Sequence, residues 1–251
     1  MDIDYISDLH LDFYVKPESD LEKYTAKTFA FLQSLLPDQL AEVFILAGDI
    51  SHYNQQSFDT LQFFSRCYEH VFFVLGNHDY HLVSQKQRLK YHENNVERVE
   101  ELLELIKPLP NVQLLDQFEI VTHKSIQFAG STSWYSLHDN AKISDLNDGS
   151  IPIQAKDIAA IRDQEMSAYE KMQFVDVLVT HMPPILLDIH NKFGSSACYL
   201  NELKEIKANY CLFGHCHDQK VYEKNGITFA INALGYPDEQ RLKKIRTLRV
   251  R

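Results

Sequence analysis

The sequence lacks the features that define several large classes of protein. It has only four cysteines and no C-x-x-C pair, so neither a disulfide framework nor a paired-cysteine zinc module is indicated. No window approaches the ~18 consecutive apolar residues that a membrane helix needs. The N-terminal MDIDYISDLHLDFYV has neither the basic start nor the small-residue cleavage site of a secretory signal. We therefore expect a cytoplasmic protein with no membrane partner.

An excess of positive charge is also missing. The 251 residues carry a formal net charge of -10, which disfavours a nucleic-acid partner because such binding is driven by neutralising phosphates. The exception is the C-terminal RLKKIRTLRVR, whose interspersed apolar residues favour a packed final element with a solvated basic face. Contact with an anion is the alternative interpretation of this tail. The hydrophobic share of 45% is enough for a sizeable core.

Short apolar runs alternate with helical stretches along the chain, as in an α/β protein. Strands are predicted at Ile3–Ser7, Val43–Asp49, Val71–Asn77, Phe118–Thr122, Ser125–Gly130, Val175–His181 and Ala208–His215, and a hairpin at Asn225–Gly226. Helices are predicted at 17–36, Phe58–Cys67, 94–106 and Ala155–Met172, and a loop at 136–155. Ser19 and Glu22 have capping-box spacing at the start of the first helix. The simplest organisation is one domain over 1–251, with an insertion or lid at about 81–172.

Residues that can bind a metal lie at or just after the carboxyl ends of five predicted strands. In chain order they are Asp8, His10, Asp49, Asn77, His78, Asp79, His181, His215 and His217. Sites in open α/β sheets gather beyond the carboxyl ends of strands, so these side chains can converge. Each motif alone is weak, because an ordinary turn or strand cap would explain it. Together they predict mixed nitrogen and oxygen ligation, which suits Mn, Fe, Zn or Ni better than Ca.

Glycine is scarce, yet Gly48, Gly76 and Gly214, three of only eight glycines, each stand immediately before one of these motifs. A glycine at that point permits a tight exit from the strand and a close backbone approach to a bound ion. This placement supports interpreting the motifs as one site.

The series SDLH, GD, GNHD, TH and GHCH resembles the signature of the calcineurin-like metallophosphoesterase superfamily, in its bacterial and phage-type branch. The resemblance runs from Asp8 to His217 and departs from the usual pattern at Thr180, where glycine often precedes the histidine. It implies a four-layer α/β/β/α sandwich with two mixed β-sheets. It also implies two divalent or trivalent metal ions, drawn from Mn, Fe, Zn, Ni and Co.

The resemblance assigns a role to each matched residue. The implied ligands are Asp8, His10 and His217 for one metal, Asn77, His181 and His215 for the other, and Asp49 for both. His78 would lie near the leaving-group oxygen, and Asp79 would orient it. A hydroxide bridging the metals would attack phosphorus directly, so that no serine or cysteine nucleophile is needed.

The nature of the phosphoester is less determined. GDISHYN lacks the arginine that protein phosphatases of the superfamily carry in this motif, and the acidic charge disfavours a nuclease. A small-molecule or nucleotide monoester or diester is favoured. Candidate substrate contacts are His52, Tyr53, His81 and Trp134, with His138 as a further candidate. Trp134 could stack on a nucleobase, although packing in the core or under a lid explains it equally well. The alternative to an enzyme is a non-catalytic scaffold, which the complete ligand set disfavours.

The segment FGHCHD can be interpreted as half of a zinc finger, a redox site, a polar turn or part of a larger site. If it is extended, His215 and His217 project to one side, ~6–7 Å apart, and can contact two ions. Cys216 would then point away. Asp218 would be either a polar cap or a partner of a ligand.

Overall fold

Two mixed β-sheets form the centre of the protein, in a computed structural model that describes residues 1–135, 155–185, 201 and 203–251. The first sheet contains β1 (Asp2–Ile6), β2 (Val43–Ala47), β3 (His70–Val74), β4 (Val112–Leu114) and β11 (Arg246–Arg249). Its strand order is β11-β1-β2-β3-β4. β1 to β4 pair in parallel, and β11 pairs antiparallel with β1.

The second sheet contains β5 (Val121–His123), β6 (Ile126–Ser131), β7 (Val175–Thr180), β8 (Ala208–Phe213), β9 (Gln219–Lys224) and β10 (Ile227–Asn232). Its order is β5-β6-β7-β8-β10-β9, with antiparallel pairs only at the two ends. The predicted hairpin joins β9 to β10. Asn225 and Gly226 both have positive φ, 54° and 78°, as a two-residue type I′ turn requires.

The helices are α1 (Leu11–Tyr14), α2 (Leu21–Leu35), α3 (Asn54–Cys67), α4 (Gln85–Lys90), α5 (Asn95–Ile106) and α6 (Ala155–Lys171). No helix in the described part of the chain is long and apolar enough to cross a lipid bilayer.

Three apolar clusters separate four layers. Residues of β2 alternate, so that Ile45 packs between the sheets whereas Phe44 and Leu46 pack against the helices of the first sheet. Leu178 of β7 faces the other way and packs near Tyr169 of α6. The order is therefore helices, sheet, sheet, helix, and the predicted α/β/β/α sandwich with two mixed sheets is confirmed.

Local details differ from the predictions where tertiary contacts or caps intervene. α2 begins at Leu21, and Asp20 caps it by accepting a hydrogen bond from the Lys23 amide at 3.1 Å; the predicted Ser19–Glu22 capping box is wrong. The predicted strand at Phe118 begins only at Val121, because Phe118 has a φ of 53° and sits in a turn. α1, α4 and the short β4 were not predicted. The predicted loop at 136–155 and His138 fall almost entirely outside the described residues.

The basic tail is a packed element, as predicted. β11 pairs with β1 through Arg249 opposite Asp2, and the guanidinium of Arg249 binds the Asp2 carboxylate at 2.7 and 2.8 Å. Ile245 and Val250 are buried. The stretch 81–172 supplies strands to both sheets, and its role as an insertion or lid stays a prediction.

Candidate metal centre

The predicted ligands meet at one edge of the sandwich, just beyond the strands that precede them. The two sheets join there, since Ser7 forms a bridge with Ala233, and the Asp8 amide donates to the Gly48 carbonyl at 3.0 Å. Asp8, His10, Asp49 and His181 are all essentially inaccessible to solvent. The parallel strands deliver these side chains to one buried place.

Two groups of donor atoms at this edge contain the predicted ligands, and a third group, His10 with Asp49 and His78, shares one residue with each of them. Asp8, His10 and His217 make up one group, and Asp49, His181 and His215 the other, with the donor atoms of each group within 4.8 Å of one another. The groups are joined by Asp49, whose Oδ2 lies 3.3 Å from His181 Nε2 and 3.7 Å from His10 Nε2. One carboxylate oxygen thus lies between ligand atoms of both groups.

Asn77 belongs to the second group. Its side-chain Oδ1 lies 3.1 Å from Nε2 of His181. In the first group, Nε2 of His10 lies 3.0 Å from Nε2 of His217. All seven predicted ligands are therefore brought together.

The backbone at these residues is unusual. Asp8, His10, Asp49, His215 and His217 have φ angles of 51°, 42°, 56°, 69° and 46°. Non-glycine residues adopt this left-handed region rarely, and such strain concentrates at functional sites. The extended geometry predicted for FGHCHD is therefore wrong. His215 and His217 nevertheless fall in different donor groups. Both residues are themselves left-handed, and the chain turns there.

The glycines before the motifs make room for ligand side chains. A Cβ on Gly76 would lie 2.1 Å from Oδ1 of Asp49, and one on Gly48 would lie 2.4 Å from Nδ1 of His181. A Cβ on Gly214 would lie 2.8 Å from Oδ2 of Asp8. The position of these three glycines follows from this packing around the ligands.

Several outer contacts hold the ligand rings in orientation. Nδ1 of His181 lies 2.9 Å from the Ala47 carbonyl, and Nδ1 of His217 lies 3.0 Å from Oε2 of Glu239. These contacts turn Nε2 of each ring toward the site, the arrangement that metal-binding histidines commonly have. Glu239 was not predicted, because it belongs to no motif and only the tertiary fold brings it to His217.

The ionisable side chains of the site shift one another's pKa values in both directions. Burial raises the pKa of Asp8. Burial also acts to raise that of Asp49, but the surrounding imidazoles, His181 first, outweigh it and hold the pKa well below its ordinary value. Burial lowers the pKa of His10 and His215, which favours the neutral ring that a metal requires. For His181, burial is outweighed by Asp49, which raises its pKa to about 9.

The GNHD loop is held by two buried charged residues. Asp79 accepts hydrogen bonds from the amides of Gly76, Asp49 and Ile50 at 2.8, 3.0 and 3.0 Å. It ties the loop after β3 to the loop after β2, and these bonds differ from its predicted role of orienting the His78 ring. Burial raises the pKa of Asp79 to about 6.

Arg98 of α5 is the second of these residues, and it was not predicted. Its side chain is fully buried. Its guanidinium donates to the carbonyls of Ser51 at 2.7 Å, His78 at 2.9 Å and His81 at 3.1 Å, and also to that of Asp79. The amphipathic pattern of the helix gave no sign that its arginine would be buried in this way.

The ring of His78 is bonded to His52. Nδ1 of His78 lies 2.8 Å from Nε2 of His52, and Nδ1 of His52 lies 2.9 Å from Oδ2 of Asp12. Burial acts to raise the pKa of Asp12, but the bonds from His52 outweigh it and leave the pKa below its ordinary value. His52 and His81 are each 2% exposed, so both are buried, and their rings lie beside that of His78. Tyr53 is partly exposed.

Trp134 lies in the core. It is 0% exposed and packs edge-on against Tyr80, with ring centroids 5.3 Å apart. The stacking interpretation is therefore wrong for Trp134, and core packing explains it. Aromatic rings that do adjoin the ligands were missed: Tyr236 stacks on His10 at 4.6 Å and meets Phe13 at 4.9 Å.

The remaining residues of FGHCHD have structural contacts. Cys216 packs against the apolar cluster behind the second sheet, where burial raises its pKa to about 12. Asp218 caps β9, since its side chain accepts a hydrogen bond from the Gln219 amide at 2.8 Å. Neither residue belongs to the donor groups.

A sandwich of two mixed sheets with aspartates and histidines at a shared edge defines the class of metallo-dependent phosphatase folds. The calcineurin-like phosphoesterase family matches residues 1–219, and the chain belongs to that family. The predicted family is confirmed. Glu239 and Tyr236 lie beyond the matched residues.

The chain is similar in sequence to a known protein and in fold to a solved structure. An uncharacterized protein of Acanthamoeba polyphaga mimivirus is 24% identical over 271 residues, covering 94% of this chain and 91% of its own. The crystal structure of phosphopantetheinyl hydrolase from Mycobacterium tuberculosis superposes with a TM-score of 0.66 at 18% identity, covering 94% of this chain and 89% of its own.

Proposed function

We propose that the protein hydrolyses a phosphoester of a small molecule or nucleotide with the help of two metal ions. One observation carries the proposal: Oδ2 of Asp49 lies between His10 Nε2 at 3.7 Å and His181 Nε2 at 3.3 Å. A carboxylate placed between two donor groups is the arrangement that a pair of neighbouring metals needs.

The residues present fit metal ions of the transition series. The donor set mixes imidazole, carboxylate and amide groups, which suits Mn, Fe, Co, Ni or Zn. Buried carboxylates need a partner of opposite charge, and Asp8 and Asp49 are both buried here. Asp8, His10 and His217 would hold one ion, and Asn77, His181 and His215 the other. Asp49 would contact both.

The bound ions would polarise the phosphoryl group and lower the pKa of water, so that a nucleophile is available near neutral pH. The chain itself would place the phosphoester. His78 would meet the leaving-group oxygen and stabilise the charge that develops there. The bond from the His78 amide to Oδ1 of Asp49, at 2.8 Å, couples the position of this residue to the proposed shared ligand.

Local contacts favour a small substrate over a phosphoprotein or nucleic acid. Arg98, which contacts the loops of two motifs, is committed to backbone carbonyls and does not serve as a phosphate clamp. Phe13 and Tyr236 form an aromatic side to the pocket beside His10. Such a side would accept an aromatic or apolar leaving group.

The test is hydrolysis by metal-stripped protein resupplied separately with Mn, Fe, Co, Ni or Zn. Bis-p-nitrophenyl phosphate and p-nitrophenyl phosphate are compared first, followed by nucleotides and phosphopantetheinyl compounds, the last because of the fold shared with the mycobacterial hydrolase. Two equivalents of metal are expected per chain. Asp49→Ala should lower both the number of metal equivalents bound per chain and the rate of hydrolysis.

Asn77→Ala and His78→Ala serve as paired variants. We expect the first to lose metal and the second to keep it, with kcat for nucleotides, whose leaving groups need a proton, reduced about 10²-fold or more. No turnover with any of the metals would refute the enzyme and favour a scaffold. A wild-type protein that binds only one equivalent, and keeps it in Asp49→Ala, would refute the paired-metal arrangement.

A further inference from the structure

Three side chains form a continuous chain of hydrogen bonds behind the reactive edge. The carboxylate of Asp12 lies 2.9 Å from Nδ1 of His52, whose Nε2 lies 2.8 Å from Nδ1 of His78. Asp12 and His52 are 8% and 2% exposed. The bonds are therefore protected from competing water.

The direction of these bonds follows from chemistry. Oδ1 of Asp12 accepts from the backbone amide of His52 at 3.2 Å, so the carboxylate acts as an acceptor on both oxygens. Nδ1 of His52 therefore carries the hydrogen, and its Nε2 is the acceptor. Nδ1 of His78 must then be the donor, and Nε2 of His78 is the nitrogen that meets the substrate.

We propose that Asp12 and His52 are positioning residues that fix the tautomer and ring orientation of His78 for leaving-group departure. This inference rests on the proposed function. The role differs from the substrate contact first expected of His52, because a buried ring bonded at both nitrogens has none to offer a ligand.

The step that the chain supports can be written out. The phosphorus–oxygen bond to the leaving group breaks, and its electron pair remains on that oxygen. The oxygen takes the hydrogen from Nε2 of His78, which keeps the hydrogen on Nδ1 in its bond to His52. Water supplies the new oxygen on phosphorus and releases one proton, which restores His78.

The loop geometry supports a fixed chain. Gln87 donates to the backbone carbonyl of His52 at 2.6 Å, and Arg98 donates to the carbonyls of Ser51 and His78 at 2.7 and 2.9 Å. Hydrogen bonds other than the contact between the two rings therefore also connect the loops that carry His52 and His78. A change at the His52 side chain can act on the His78 ring without releasing the loops.

The test compares esters whose leaving groups differ in their need for a proton. p-Nitrophenolate departs readily without one, whereas phenolate does not. Paired p-nitrophenyl and phenyl phosphates are used, as monoesters or diesters according to what the wild-type holoenzyme hydrolyses. We expect His52→Ala to lower kcat about 10–100-fold for the phenyl ester and less than about fivefold for the nitrophenyl ester.

Rescue separates positioning from folding. The side-chain amide oxygen in His52→Gln can accept a hydrogen bond from Nδ1 of His78. This variant should therefore have a kcat for the phenyl ester about tenfold higher than that of His52→Ala. Asp12→Ala should reproduce the pattern of His52→Ala. His92→Ala, an exposed histidine in a surface ion pair with Glu97, should change neither rate.

The outcomes are distinct. Equal losses on both esters, or no loss, would overturn the positioning role while leaving the proposed function intact. Failure of the wild type on every ester would overturn the proposed function itself. His81 lies near the pair, with its ring 4.6 Å from His78, and the three histidines could together bind a metal. A third equivalent of zinc that His52→Ala removes would therefore also overturn the positioning role.

Discussion

Replacement of Arg98 by methionine tests the claim that a buried arginine holds the site loops together. Methionine fills similar space but has no donors. The change removes hydrogen bonds to four carbonyls, those of Ser51, His78, Asp79 and His81. A bond from a charged donor contributes about 1.5–3 kcal/mol, and a buried acceptor left unpaired costs about 1–3 kcal/mol.

The net loss of stability is smaller than the sum of the contributions of these four hydrogen bonds. Burial of the guanidinium is itself unfavourable, as the lowered pKa of Arg98 indicates, and methionine removes that penalty. We expect the free energy of unfolding to fall by about 3–5 kcal/mol, because a buried hydrogen-bond network is broken and its carbonyls are left unpaired. In a chain of this size the melting temperature should fall by about 6–20 °C.

Urea denaturation and thermal melting followed by circular dichroism measure this loss. Arg98→Lys keeps the charge but cannot span all four carbonyls, so it should fall between wild type and methionine. Arg66→Met, on the exposed face of α3, is the matched control and should change stability by less than about 0.5 kcal/mol. A loss below about 1 kcal/mol for Arg98→Met would refute the reasoning.

Three other changes test separate parts of the structure. Glu239→Ala should weaken metal binding about 10–100-fold by calorimetry, because His217 loses its outer partner; Glu239→Gln should lose less, and equal affinity in all three proteins would contradict the assigned role. Cys216→Ser should keep metal and activity while His215→Ala loses both; loss of metal in Cys216→Ser would be the contrary result. Burial raises the pKa of Glu165 to about 7 from its ordinary 4.5. The folded state therefore binds this proton more tightly than the unfolded state, and stability from this residue is present below pH ~4.5 and lost as pH rises through about 7. Between pH 4 and 8, the free energy of unfolding of the wild type should fall by about 3 kcal/mol relative to that of Glu165→Gln, as measured by urea titration. Parallel pH profiles for the two proteins would contradict this expectation.

Much of the site was predictable because its residues lie next to strand ends. The runs before Asp49 and Asn77 are apolar throughout, as strands buried on both faces must be, and parallel strands bring their carboxyl ends to one edge. Residues that act through long-range contacts left no such pattern. Asp12 lies in a four-residue helix and Arg98 on a helix that is amphipathic by sequence, and both look like surface charges in the sequence.

The sequence by itself determined which strand ends carry polar residues, because this depends on local hydrophobic pattern. Its resemblance to a known family implied the seven candidate ligands and the class of fold. Tertiary structure alone decided which side chains hold the ligands and His78 in place. Glu239 reaches His217, and Asp12 reaches His52, across 22 and 40 positions of chain. Tertiary structure also decided that Trp134 is buried in the core and that FGHCHD turns at two left-handed residues. Burial and backbone strain arise only when distant segments pack together.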